Sequence, residues 1–113
     1  MISVRLFYNK NGAVYGFEAE GHGLDIVCSA VSALTFNTVN SVEAFAGEEL
    51  SCDCPENGGG WLRFSMPRLR DGGENRDAEL LTASLALGLR SLAEEYPKEI
   101  RIKEIKTREA KRC

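Results

Sequence analysis

The chain has 113 residues, 43% apolar and 27% charged, with a formal net charge of −3. That size carries one modest hydrophobic core without disulfide staples, and the composition excludes a disordered or fibrous chain. The acidic balance argues against a general nucleic-acid binder. The opening MISVRLFYNK lacks the basic-then-apolar pattern of a secretory signal, and no apolar run approaches the roughly 20 residues of a membrane span. A cytoplasmic address and no membrane partner are expected.

ISVRLFY (2–8) alternates, with Ile2, Val4 and Leu6 on one face, as in a half-buried strand. NKNG (9–12) supplies a turn ending in an Asn-Gly pair that favours positive φ. AVYGFEAE (13–20) alternates again and sets Ala13, Tyr15, Phe17 and Ala19 against Val14, Gly16, Glu18 and Glu20. The two runs make a hairpin, and Gly21 breaks its second strand just before His22, the only histidine in the chain.

From Asp25 the period changes. Val27, Val31, Leu34, Thr38, Val42 and Phe45 recur at three and four, one stripe of a long amphipathic helix. Asp25 is the expected N-cap and Gly47 the expected C-terminal cap. ELSCDC (49–54) is short and strand-like, PENGGG (55–60) is a turn, and WLRFSM (61–66) returns with Leu62, Phe64 and Met66 inward. PRLRDGGENRD (67–77) reads as a polar loop. A second helix covers about 77–96 with Leu81, Leu85, Leu89, Leu92 and Tyr96 as its stripe, and Pro97 stops it. EIRIKEIK (99–106) is a last strand burying Ile100 and Ile102. The order ββαββαβ implies an α+β fold, a small mixed or antiparallel sheet packed with two amphipathic helices. Residues 1–106 are expected as a single domain and 107–113 as a basic C-terminal tail.

Cys28 is where the sequence concentrates chemistry. A free thiol has a pKa near 8.5, so only about 3% is thiolate at neutral pH, and a catalytic cysteine must be shifted. With Asp25 as cap, Cys28 falls at the third helical position, where free backbone N–H groups and the helix dipole favour an anion. The two glycines around His22 let the loop fold back so that the imidazole reaches the sulfur, takes its proton and returns it to a leaving amine. Free N–H groups of the same turn, that of Cys28 included, are candidate oxyanion donors. Asp25 could instead orient the imidazole. Ser32, one turn beyond Cys28 on the same face, could add a hydroxyl near the site or simply bond back to its own helix. Against this stands the plain alternative of a small buried cysteine and a solvated histidine.

Four cysteines in such a chain are read as reduced thiols rather than bridges. Cys52 and Cys54 share one strand face, which strand burial explains as well as a metal knuckle would. Structural zinc sites use paired C-x₂₋₄-C knuckles, so no metal and no cofactor is expected. From Arg101 to Cys113 six basic residues stand against two acidic ones, either a solvated terminus or a weak RNA-docking patch.

Gly21-His22, a glycine-containing connection, and Asp25-Ile26-Val27-Cys28 with Ala30, Val31 and Ser32 together resemble the family of ribosomal-processing cysteine proteases (Prp). The resemblance spans nearly the whole chain, including the opening hairpin, the turn at Asn57 to Gly60, the leucine-rich second helix and Tyr96-Pro97. It implies a cytoplasmic homodimer that removes a short N-terminal extension from large-subunit ribosomal protein twenty-seven during ribosome maturation. In matching positions Cys28 is the nucleophile and His22 the general base, with Asp25 and Ser32 as supporting polar groups. The peptide cleaved in that family ends in apolar and aromatic residues. Three features depart from the family: a connection between His22 and Cys28 several residues shorter than usual, Gly23 in place of alanine with Ser29 at a small apolar position, and the basic tail. The rival readings are a non-catalytic ribosome-assembly binding factor on the same fold, and a redox sensor in which Cys52 or Cys54 approaches Cys28 only in the folded chain.

Overall fold

The computed structural model describes residues 1–55 and 60–107; most of the Asn57–Gly60 turn and the basic tail from Arg108 lie outside the described residues. Five strands form one sheet: β1 (Ile2–Tyr8), β2 (Val14–Gly21), β3 (Ser51–Asp53), β4 (Trp61–Ser65) and β5 (Ile100–Lys106), in the order β3-β4-β2-β1-β5. All neighbours are antiparallel except β1 and β5, which run parallel. The sheet is therefore mixed, and the fold is the expected α+β arrangement. Helices α1 (Asp25–Ser41) and α3 (Arg76–Glu95) pack on it, and α2 (Pro67–Arg70) is a single short turn.

The alternation in β1 works as read: Ile2, Val4 and Leu6 are all buried. Register places Leu6 opposite Phe17 and Val4 opposite Ala19, and Phe17 in turn opposite Phe64, whose ring stacks on it at 5.6 Å. Period-two geometry thus assembles one apolar face across three strands. The face meets Val27 and Val31 of α1 and Leu85, Ala86 and Leu89 of α3. Leu62, Phe64 and Met66 are inward as expected, and Ile100 is buried while Ile102 is half-buried.

Four expectations are corrected. In β2 the simple alternation fails, because the pairing slips between Phe7 and Tyr8 and leaves Tyr8 opposite Val14. The resulting bulge turns Val14 rather than Tyr15 into the core. In the first helix Phe45 is exposed, because residues Val42–Ala46 open into a π-turn that shifts the helical phase. Gly47 ends that turn with φ +64° and its N–H on the Val42 carbonyl. The polar loop after Met66 contains α2, started by Pro67 and anchored by the fully buried Leu69. Lastly, Cys52 and Cys54 are both exposed: β3 is a three-residue edge strand and Cys54 lies just past its end.

The ends of the helices are tied together by polar groups. Asn75 caps α3, its side chain accepting from the Ala78 N–H while the Glu79 carboxylate accepts from the Asn75 N–H. Its amide also donates to the Ala46 carbonyl and to Glu48. Glu48 is buried and takes both forks of Arg68, at 3.1 and 2.9 Å. These bonds, led by the one from Arg68, hold the Glu48 carboxyl below its ordinary range against the opposing effect of burial.

A carboxylate with a depressed folded pKa contributes stability in full above its unfolded value, near 4.3, and loses that contribution as the pH falls through the lower folded value. Glu48→Gln is expected to cost about 1–2 kcal/mol at neutral pH, kept small by the half-exposed guanidinium. Denaturant titrations of both proteins should show the gap closing below about pH 4; a gap independent of pH counts against the ion pair.

Candidate active site

Strand β2 ends at Gly21, whose φ of +100° and N–H bond to the Gly60 carbonyl (2.9 Å) turn the chain sharply toward the helices. A Cβ at this position would stand 2.3 Å from the Met1 carbonyl oxygen, so the turn needs glycine. His22 follows, its carbonyl accepting from the Met1 nitrogen at 2.6 Å. The imidazole lies against Gly60: a Cβ there would come within 2.6 Å of Nε2.

The helix start differs from the sequence expectation by one residue. Leu24 occupies the N-cap position and Asp25 is the first helical residue, with no side-chain capping bond. The Leu24 carbonyl accepts from both Val27 and Cys28, each at 3.0 Å. Cys28 therefore stands at the fourth helical position and its own N–H is already used, so it is not a free oxyanion donor. Among the described residues, the Asp25 and Ile26 N–H groups are the open ones in this turn. Asp25 is exposed and outside the cavity lining, and no hydrogen bond joins it to His22 among the described residues.

Helical side chains lean toward the N-terminus, and the thiol of Cys28 accordingly lies over the loop that precedes it. The Gly23 N–H donates to Sγ at 3.5 Å, and the thiol donates to the Gly23 carbonyl at 3.7 Å. Among the described residues no hydrogen bond connects Sγ to the His22 ring, but both residues line one open cavity of about 300 Å³. Ser32 lines it too, one turn beyond Cys28.

The rest of that cavity is largely apolar and was not legible as a site. Val31, Phe36, Trp61, Leu62 and Pro55 contribute walls, with Phe36 and Trp61 left substantially exposed. Phe36 is two turns after Cys28 on one helical face, a spacing that could have marked it; Trp61 is placed by the pairing of β4 with β2 opposite Glu20. Cys54, just past the end of β3, also lines the cavity. Cys52 does not line it, and desolvation, then the neighbouring Cys54, Asp53 and Glu43, push its thiol pKa up, away from nucleophile chemistry. Glu99 was missed altogether: its carboxylate accepts from the Leu24 N–H at 2.8 Å.

The family model for cysteine protease Prp matches residues 1–101. The chain is 30% identical over 108 residues to the ribosomal processing cysteine protease Prp of Bacillus subtilis, covering 90% of this chain and 96% of that one. The Prp of Staphylococcus aureus matches at the same identity over 90% and 97%. The fold superposes with a TM-score of 0.81 on the crystal structure of the S. aureus Prp with a covalently linked product peptide, at 29% identity over 92% of this chain and 99% of that one. The S. aureus enzyme with a substrate peptide gives the same TM-score at 26% identity, again over 92% and 99%. An apolar cavity holding a cysteine and a histidine at a helix start thus sits within a sequence and a fold shared with these enzymes over 90–92% of this chain, and the chain belongs to the cysteine protease Prp family.

Proposed function

We propose that this protein is a ribosome-processing endopeptidase that uses Cys28 as nucleophile and His22 as general base to remove the N-terminal extension of large-subunit ribosomal protein twenty-seven. The observation that carries the reading is the single cavity on which the thiol, the imidazole and the apolar walls converge. Phe36, Trp61 and Leu62 offer those walls to the apolar and aromatic residues before the cut. The same reading, by family resemblance, makes the protein a cytoplasmic homodimer; the basic tail, which departs from the family, is a solvated terminus or, by its charge alone, a weak RNA contact.

The chemistry follows from the groups present. His22 takes the thiol proton, and the sulfur attacks the scissile carbonyl carbon; the Gly23 N–H supports the thiolate before attack. The tetrahedral oxyanion is stabilised by backbone N–H groups, for which Asp25 and Ile26 are the open donors of the helix start. Collapse breaks the C–N bond, and the imidazolium gives its proton to the departing amine. Water activated by the neutral imidazole then hydrolyses the thioester and restores the thiol. Catalytic hydrogen bonds are often long before substrate arrives, so the missing Sγ–imidazole bond in the free protein is compatible with this sequence. Ser32 contributes polarity on the cavity wall, and Asp25 acts only through its charge near the helix start.

Mass spectrometry of the N-terminally extended ribosomal protein after incubation should show loss of the extension with the native chain and none with Cys28→Ser. An intact substrate with both proteins would leave the non-catalytic assembly factor as the reading. His22→Ala should lower kcat/KM by about 10²–10⁴-fold while leaving the melting temperature nearly unchanged. Gly60→Ala pushes a methyl into the imidazole, so it should shift the His22 ring proton resonances and lower kcat by roughly tenfold; unchanged resonances would mean that the ring does not rest there.

A further inference from the structure

We propose that Glu99 is a positioning residue that braces the shortened His22–Gly23–Leu24 loop and so holds the Gly23 amide on the Cys28 sulfur. This rests on the protease reading and adds a residue to it.

Three contacts carry the inference. The Glu99 carboxylate accepts from the backbone N–H of Leu24, the N-cap residue of α1, across 75 positions of sequence. Its own backbone is pinned on both sides: Glu99 N–H donates to the Tyr96 carbonyl at 2.9 Å, and the Glu99 carbonyl accepts from Ile2 N–H at 2.8 Å. Gly23 lies against the same carboxylate, since a Cβ there would meet Glu99 Oε1 at 2.6 Å and the Glu99 carbonyl oxygen at 3.4 Å. The carboxylate thus fills the space that a side chain at position 23 would take, and glycine is the residue that admits it.

Gly23 is also the residue whose N–H and C=O both touch Sγ. Glu99 therefore acts on the sulfur at one remove, by a charge-assisted bond to one side of the Gly23 peptide and contact with its Cα. In this short connection Gly23 has no side chain and Leu24 is exposed, so the geometry beside the sulfur must come from outside it. An amide that drifts from sulfur by an ångström no longer supports the thiolate, and misplacement of that size is enough to lower turnover by up to about 10²-fold.

The test uses the full chain, steady-state cleavage of the extended ribosomal protein, and site-resolved iodoacetamide labelling of Cys28 by peptide mass spectrometry. Glu99→Ala is expected to lower kcat about tenfold with KM changed less than about threefold, and to slow Cys28 labelling severalfold. Glu99→Gln keeps an acceptor oxygen and should recover most of both. Gly23→Ala should impair the native chain but cost less than about twofold further in a Glu99→Ala background, because the two changes act on one contact. The proposal is overturned if Glu99→Ala keeps native kcat and labelling, if its loss merely tracks the folded fraction in thermal melts, or if Gly23→Ala costs the same in both backgrounds. Should the native chain and Cys28→Ser both leave the substrate whole, the protease reading fails, while the labelling rates still decide on the brace.

Discussion

The register of β1, held between β2 and β5, is the constraint on which the rest depends. Ile2 pairs with Gly21 on one side and with Ile100 on the other. His22 and Glu99 therefore both emerge at the same end of the sheet, one just after its strand and one just before. A slip of one residue in either pairing would turn the apolar face of that strand outward, so the core itself enforces the register. Placement of the histidine and of the carboxylate is then a by-product of burying Val4, Leu6, Phe17 and Ile100.

The second constraint is the tight passage from β2 into α1. Leu24 ends its extended geometry at the cap position without a side-chain acceptor, a role that serine or aspartate ordinarily fills. Its carbonyl takes two N–H groups and its own N–H goes to Glu99, so backbone and a distant carboxylate do what a capping side chain would otherwise do. The arrangement leaves the first turn of the helix open toward the cavity. It also separates the two residues that looked like a linked pair: Cys28 is held by the Gly23 backbone, whereas the His22 ring rests against Gly60.

Much of this was legible in the chain. Alternation marked β1 and β4, the three-and-four spacing marked both long helices, and the Gly-His and Asp-Ile-Val-Cys runs marked the cavity. What escaped has physical causes. The bulge opposite Tyr8 and the π-turn after Ser41 each insert a residue's worth of phase, which no periodic template anticipates. Asp25 looked like a cap because its residue type favours that position, yet the Leu24 carbonyl takes the first helical bonds while its N–H goes to Glu99, a partner far away in sequence. Glu99 and Trp61 act through pairings with residues far away in sequence, and local patterns carry no record of such partners. The exposure of Cys52 and Cys54 was likewise decided by how few strands lie beyond β4.

The parallel pairing of β1 with β5 sets the order in which the molecule can become itself. Residues 2 to 8 find residues 100 to 106 as partners, so that ladder of the sheet cannot close until the segment after α3 is available. Contacts of such long sequence separation form late, because loop closure must be achieved before they contribute. During synthesis the hairpin and the helix bearing Cys28 leave the ribosome well before the segment that carries Glu99. A nascent chain would thus hold its thiol in an unbraced loop until β5 docks beside β1, so the loop beneath Cys28 would take its final geometry only with that pairing.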